Sequence, residues 1–183
     1  MVCTFTGHRP ERLPWGSDER DARCAALRTL IQRAVTQACA DGFDAFLCGM
    51  ARGCDMYFAE AVLAARETFP QIRLTAMIPC PTQPDAWPQA ERARYARLLA
   101  ACDAVCVLEP VYSDGCMLRR NRAMVDAAET RKAAFTIFPR SSIFSIIVIA
   151  GTGLTMPIRR PAALLSFMPV FLPIKYYLYS PQP

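Results

Sequence analysis

Histidine is all but missing from this chain: there is one in 183 residues, at position 8. With a single imidazole and no Cys-x-x-Cys pair among nine cysteines, the sequence offers no zinc-ligand set, and no metal site is expected. It also lacks a Gly-x-Ser-x-Gly elbow, a Walker A Gly-Lys-Ser/Thr and a Gly-x-Gly-x-x-Gly fingerprint. Those absences count against a serine hydrolase, ATP hydrolysis and ordinary dinucleotide binding, and no cofactor is expected. Spacing alone brings no two carboxylates together, so the catalytic residues stay unknown at this level.

A broad positive field is missing as well. The formal charge is +5, yet residues 1–132 hold 17 basic and all 16 acidic residues, and the remaining basic side chains lie in a tail without any acid. A protein whose main work is coating nucleic acid needs more than that, so nucleic acid is not the favoured partner. The amino terminus has no charged segment followed by an apolar export core. The cysteines sit largely inside apolar runs as small hydrophobes, and a reducing cytoplasm is the expected compartment.

What is present is an alternation of short apolar runs with helical patterns. Residues 2–5, 45–48, 72–78 and 104–108 read as strands. Residues 20–39, 53–69, 89–101 and 116–128 read as helices, the first carrying Leu27, Leu30, Ile31, Ala34, Val35 and Ala38 on one stripe with Gly42 placed to stop it. Residues 133–138 serve as a fifth strand. The expectation is an α/β three-layer fold with a mostly parallel sheet of about five strands, spanning 1–138 as one domain.

Residues 139–183 form an atypical apolar tail. The first 132 residues contain three isoleucines and the last 51 contain seven, with no Asp or Glu. Within the tail, 141–158 would make a helix of about 27 Å, marginal against a bilayer core of roughly 30 Å and weakened by Gly151, Gly153 and Pro157. Membrane contact through the tail is therefore not expected. The abrupt change near residue 132 looks like a replaced or frame-shifted gene end.

Two turns at the carboxyl ends of strands carry the chemistry. In Thr6-Gly7-His8-Arg9-Pro10, Thr6 offers a hydroxyl, Gly7 lets backbone approach a ligand, and His8 and Arg9 supply donors for phosphate or carboxylate oxygens. In Gly49-Met50-Ala51-Arg52-Gly53-Cys54-Asp55, the small residues Gly49, Ala51 and Gly53 clear a path to N–H groups at a helix start, a ready anion site. Arg52 reads equally as a phosphate ligand or a surface charge. Asp55 reads as a ribose-hydroxyl acceptor or a helix cap. Open α/β sheets bind ligands at this edge, so a phosphate-bearing ligand is expected.

The other elements add candidates. In the proline-rich loop 79–88, Trp87 could stack on a base and Gln83 read its edge, or Trp87 could simply pin the loop to the core. On the last helix, Asn121 interrupts an apolar stripe of Met117, Met124 and Ala128, so a buried amide needs partners. Arg119 and Arg120 beside it could clamp phosphate. Asp126 could join the site or only pair with Arg122 on the surface.

Taken together, the two turns, Gln83 with Trp87, Tyr112-Ser113-Asp114-Gly115-Cys116 and Arg120-Asn121-Arg122-Ala123-Met124-Val125-Asp126 resemble the YpsA-like family of the SLOG superfamily over about 128 residues. That resemblance implies a Rossmann-like sheet and a site for nucleotides or nucleotide-derived ligands. The relatives include the DNA-processing protein DprA and the LOG nucleoside-monophosphate phosphoribohydrolases. The Pro-Gly-Gly-x-Gly-Thr stretch of LOG enzymes is lacking, so their hydrolysis of the N-glycosidic bond does not carry over. Also lacking is the glycine-rich turn and helix after a fifth strand, of which Gly151-Thr152-Gly153 is a faint echo.

The resulting expectation is a module that binds a nucleotide or ADP-ribose-like small molecule as a sensor or regulatory element, with homo-oligomerisation left open. The alternative is a hydrolase cleaving a glycosidic or phosphate bond, with Asp55 or Asp126 as acid or base and His8 assisting.

Overall fold

Alternating burial sets the architecture of this computed structural model, which describes residues 1–129 and 147–150. Strand β1 (Val2–Thr6) is parallel to β2 (Ala45–Cys48), β2 to β3 (Arg73–Ile78), and β3 to β4 (Ala104–Val107). Strand β5 (Ile147–Ala150) lies antiparallel on the other side of β1, with Thr6 opposite Ile147, so the order is β4-β3-β2-β1-β5. The fold is therefore α/β and Rossmann-like, with four parallel strands. Residues 133–138, read from sequence as the fifth strand, fall outside the described residues, as does most of the tail; the fifth strand seen is instead 147–150.

Side chains alternate across the sheet, as the two-residue strand period requires. Cys3, Phe5, Phe46, Cys48, Leu74, Ala76 and Ile78 face helices α1 (Ala22–Ala40), α2 (Cys54–Ala65) and α3 (Gln89–Ala101) in the main core. Phe58 of α2 stacks on Phe5 with ring centroids 4.5 Å apart. Val2 and Leu47 point the other way and meet Met124 and Ala128 of α4 (Cys116–Glu129). Helices thus cover both faces. Strand β4 is an exposed edge, with Val105 and Val107 both accessible.

Helix α1 shows how local sequence makes an element. Asp21 caps it by accepting from the Arg23 N–H at 2.8 Å, and the chain leaves it through Gly42 at φ +90°. Cys24, Leu27, Ile31, Val35 and Ala38 form the buried stripe. Leu30, expected on that stripe, is 43% exposed because it lies about 100° around the helix from Ile31. Among the described residues no helix is long and apolar enough to cross a membrane.

The strand order reverses at β1. From β1 to β4 the sheet grows in one direction under α1–α3, whereas α4 returns over the opposite face and lies against β1 and β3. The crevice outside the carboxyl end of the strand where the order reverses is where open α/β sheets place ligands.

Candidate functional site

The turn after β1 and the turn after β2 interlock, and glycine makes the contact. A Cβ on Gly7 would sit 2.4 Å from the Cβ of Cys54. Gly53, the N-cap of α2 at φ +80° and ψ −123°, lets the His8 carbonyl and the Pro10 ring come within 2.9 and 3.0 Å of where its Cβ would be. The His8 carbonyl accepts from the Cys54 N–H at 3.1 Å. The space at Gly7 and Gly53 is thus taken by the chain itself. Pro10 starts a short 3-10 turn (Pro10–Arg12), and Gly7, His8, Arg9, Glu11 and Arg12 line an open depression of about 440 Å³.

Asp55 joins the two turns from below. It is not the cap of α2 but a first-turn residue, 1% exposed, whose Oδ1 accepts from the Gly7 N–H at 3.2 Å and Oδ2 from the Ala51 N–H at 3.1 Å. Burial pushes its pKa up, opposed by the Arg120 charge, by those two backbone N–H groups and by Arg9. Burial also pushes up the neighbouring Cys48 thiol, with Asp55 adding to the effect; that thiol donates to the Asp55 carbonyl at 3.1 Å.

Arg120 reaches this centre from the opposite face of the sheet. Its Nη1 lies 3.6 Å from Asp55 Oδ2, and the residue is 3% exposed. Gly49 makes room for it, since a Cβ there would fall 1.4 Å from Nη1. Neither Nε nor Nη1 of Arg120 makes a hydrogen bond. Buried donors left in this state are rare in folded chains, because each forfeits its hydration without replacement.

Gln83 approaches Gly49 from the loop after β3. Its Nε2 donates to the Met50 carbonyl at 2.9 Å and, more weakly, to that of Gly49 at 3.5 Å, while its Oε1 is buried without a partner. Met50 is fully buried at φ +55°, a left-handed conformation that a side chain adopts only when held there. Asn121 carries another buried acceptor without a hydrogen bond, Oδ1. Tyr95 of α3 was not among the candidates read from sequence, because its position merely continues a helical stripe. Its buried hydroxyl has no hydrogen bond, and its pKa is pushed up to about 12 by burial and by Cys80, with Arg120 acting against them.

The remaining candidates are engaged elsewhere. Arg52 bonds Glu91 through Nε and Nη2 and Glu11 through Nη1 at 2.7 Å, tying the second turn to α3 and to the 3-10 turn. Arg119 bonds Glu109 at 2.6 Å and the Asp114 carbonyl at 2.9 Å, fastening the loop before α4. Trp87 is half-buried against the core, edge-on to Tyr95 at 5.3 Å. Asp126 is on the exposed side of α4, roughly 9 Å further along the helix than Arg120. Thr6 ends β1 beside β5, Arg9 is exposed, and His8 is half-buried with its pKa lowered by burial and by Arg12.

The structure therefore brings Gly7, Gly49, Ala51, Gly53, Asp55, Gln83 and Arg120 to one place. It has a buried cation with unused donors, one buried carboxylate beside it and a fixed amide acceptor. Such a set can hold an anionic group and a neutral donor next to it.

Comparison with known proteins places the chain in a family. The UPF0398 protein BH1768 of Halalkalibacterium halodurans is 26% identical over 104 residues, which are 57% of this chain and 54% of that protein, so the chain spans about half the length of this curated relative. A family model described as the YspA SLOG family, YpsA, matches residues 3–136, which include both turns, Gln83 and the whole of α4. The match covers well over half of the chain, and the protein belongs to the YpsA family of SLOG proteins.

Proposed function

We propose that this protein is a binding module for a nucleotide or nucleotide-derived ligand, such as ADP-ribose, and acts as a sensor or regulatory element. The observation that carries the reading is the Arg120 guanidinium, buried against Gly49 and Asp55 with no hydrogen bond at Nε or Nη1. A phosphate oxygen on Arg120 would supply the missing acceptor, and the depression over Gly7, His8 and Arg9 would accommodate further parts of the ligand. Binding ranks ahead of hydrolysis because the Asp55 carboxylate already accepts two backbone N–H bonds and faces Arg120. The partner is a small molecule rather than nucleic acid, given the near-neutral first 132 residues. Nine free cysteines suit a reducing cytoplasm.

The test is calorimetry or thermal shift with AMP, ADP and ADP-ribose. Stabilisation should grow with ligand concentration over the dissociation constant. No response of the wild type to any of the three overturns the reading.

A further inference from the structure

The amide of Gln83 is held in one orientation. Rotating it by 180° would set Oε1 against the Met50 carbonyl 2.9 Å away, so Nε2 stays as the donor there and Oε1 is left as an acceptor. That acceptor is buried, unpartnered and on a residue only 7% exposed. Gln83 and Arg120 both abut Gly49: one donates to its carbonyl, and the other occupies the space where its Cβ would be. A buried acceptor therefore accompanies a buried cation with unused donors.

These two unmet requirements differ in kind. Arg120 calls for an acceptor, best an anion. Gln83 Oε1 calls for a donor. An ammonium would be repelled by the guanidinium beside it, so the donor has to be neutral. On a phosphate-bearing ligand the neutral donor close to the anion is a hydroxyl. Within the nucleotide-binding reading, on which this inference rests, that hydroxyl belongs to the ribose.

We infer that Gln83 is a specificity-determining residue of the site: its Oε1 accepts a hydrogen bond from a ribose hydroxyl of a ligand whose phosphate lies on Arg120. The protein thereby selects ribose phosphates over otherwise identical phosphates lacking those hydroxyls. The discrimination arises because a ligand with those hydroxyls gives Oε1 a bond that it lacks in the free protein, whereas a ligand without them leaves it buried and unpaired as before.

The experiment is isothermal calorimetry with AMP, with 2′,3′-dideoxyadenosine 5′-monophosphate and with inorganic phosphate. Wild type should prefer AMP to the dideoxy nucleotide by roughly fivefold or more, the worth of one such bond. Gln83→Met should bind both nucleotides with the affinity that wild type has for the dideoxy compound. Arg120→Met should lose AMP and inorganic phosphate alike. Equal binding of the two nucleotides by wild type, or an undiminished preference in Gln83→Met, overturns the inference while leaving the proposed function standing. Should Gln83→Met not fold, the wild-type pair of nucleotides decides the matter by itself. If wild type binds none of the three probes, this inference falls, and the nucleotide reading falls with it only when ADP and ADP-ribose also give no response.

Discussion

Arg120 Nη1 and Asp55 Oδ2 lie 3.6 Å apart between opposite faces of the sheet, with side chains 4% and 1% exposed. The contact is electrostatic rather than a hydrogen bond, and of the two cations that act on Asp55, Arg120 and Arg9, it brings the stronger. Removing one partner of such a pair costs more than the pair contributes, because the other charge stays buried.

Arg120→Met should therefore destabilise the fold by about 3–5 kcal/mol, read by urea unfolding. The double variant Asp55→Asn/Arg120→Met should recover part of that loss, the remainder being the backbone N–H that loses its acceptor when one Asp55 oxygen becomes an amide nitrogen. A double variant as unstable as Arg120→Met would show that packing rather than charge dominates.

Asp55 also sets a pH dependence. Burial raises its folded pKa above the ordinary aspartate value of 3.8, so the native chain holds this proton more tightly than the unfolded chain does. The contribution of this group to stability is then greatest below 3.8 and diminishes as pH rises towards its folded value. Asp55→Asn should flatten that decline in urea titrations run between pH 4 and pH 8.

Gly49→Ala should evict the Arg120 guanidinium, because its Cβ would lie 1.4 Å from Nη1. In an Arg120→Ala background the same change should cost little, giving a coupling of about 1–3 kcal/mol in a double-mutant cycle. Additive costs would mean that the two side chains do not share that space.

Gly53→Ala and Gly16→Ala separate backbone strain from steric contact. Gly16 has φ +58° and open space around it, so alanine there should cost about 1–2 kcal/mol from conformation alone. At Gly53, with φ +80° and the His8 carbonyl 2.9 Å from the new Cβ, the cost should be larger, and thermal melts should rank the two in that order.

Thiol labelling should single out one cysteine. Cys106 is exposed on the β4 edge, while the others are buried or, for Cys102, half-buried. Burial pushes the Cys54 thiol to about 12 and Cys102 to about 11. At pH 8 a chromogenic disulfide reagent should titrate one thiol per native chain rapidly, and Cys106→Ser should abolish that phase.

Much of the scaffold was legible in the chain because its signals are local. Strand alternation such as Val2, Cys3, Phe5 and the Leu27, Ile31, Val35, Ala38 stripe depend only on neighbours two to four residues away. The element order through α4 and the grouping of both turns on one edge follow from such patterns. Leu30 departed because a stripe drawn wide enough to include residues 30 and 31 exceeds the face that the sheet covers.

What the sequence by itself determined was the α/β alternation, the family resemblance and the set of residues at the carboxyl edge. Tertiary structure alone decided their roles. Arg119, Arg120 and Arg52 are alike as residues, yet Arg119 finds Glu109 in the loop before its own helix, Arg52 is bound by Glu11 and Glu91 on other elements, and Arg120 is delivered by α4 to Gly49 and Asp55. The glycines likewise looked open to a ligand, but Gly7 and Gly53 are filled by Cys54, His8 and Pro10. The physical reason is that a buried charge or a vacant Cβ position acquires meaning only from what packs against it, and here those neighbours lie more than 40 residues away for Gly7, Gly49 and Gly53 alike.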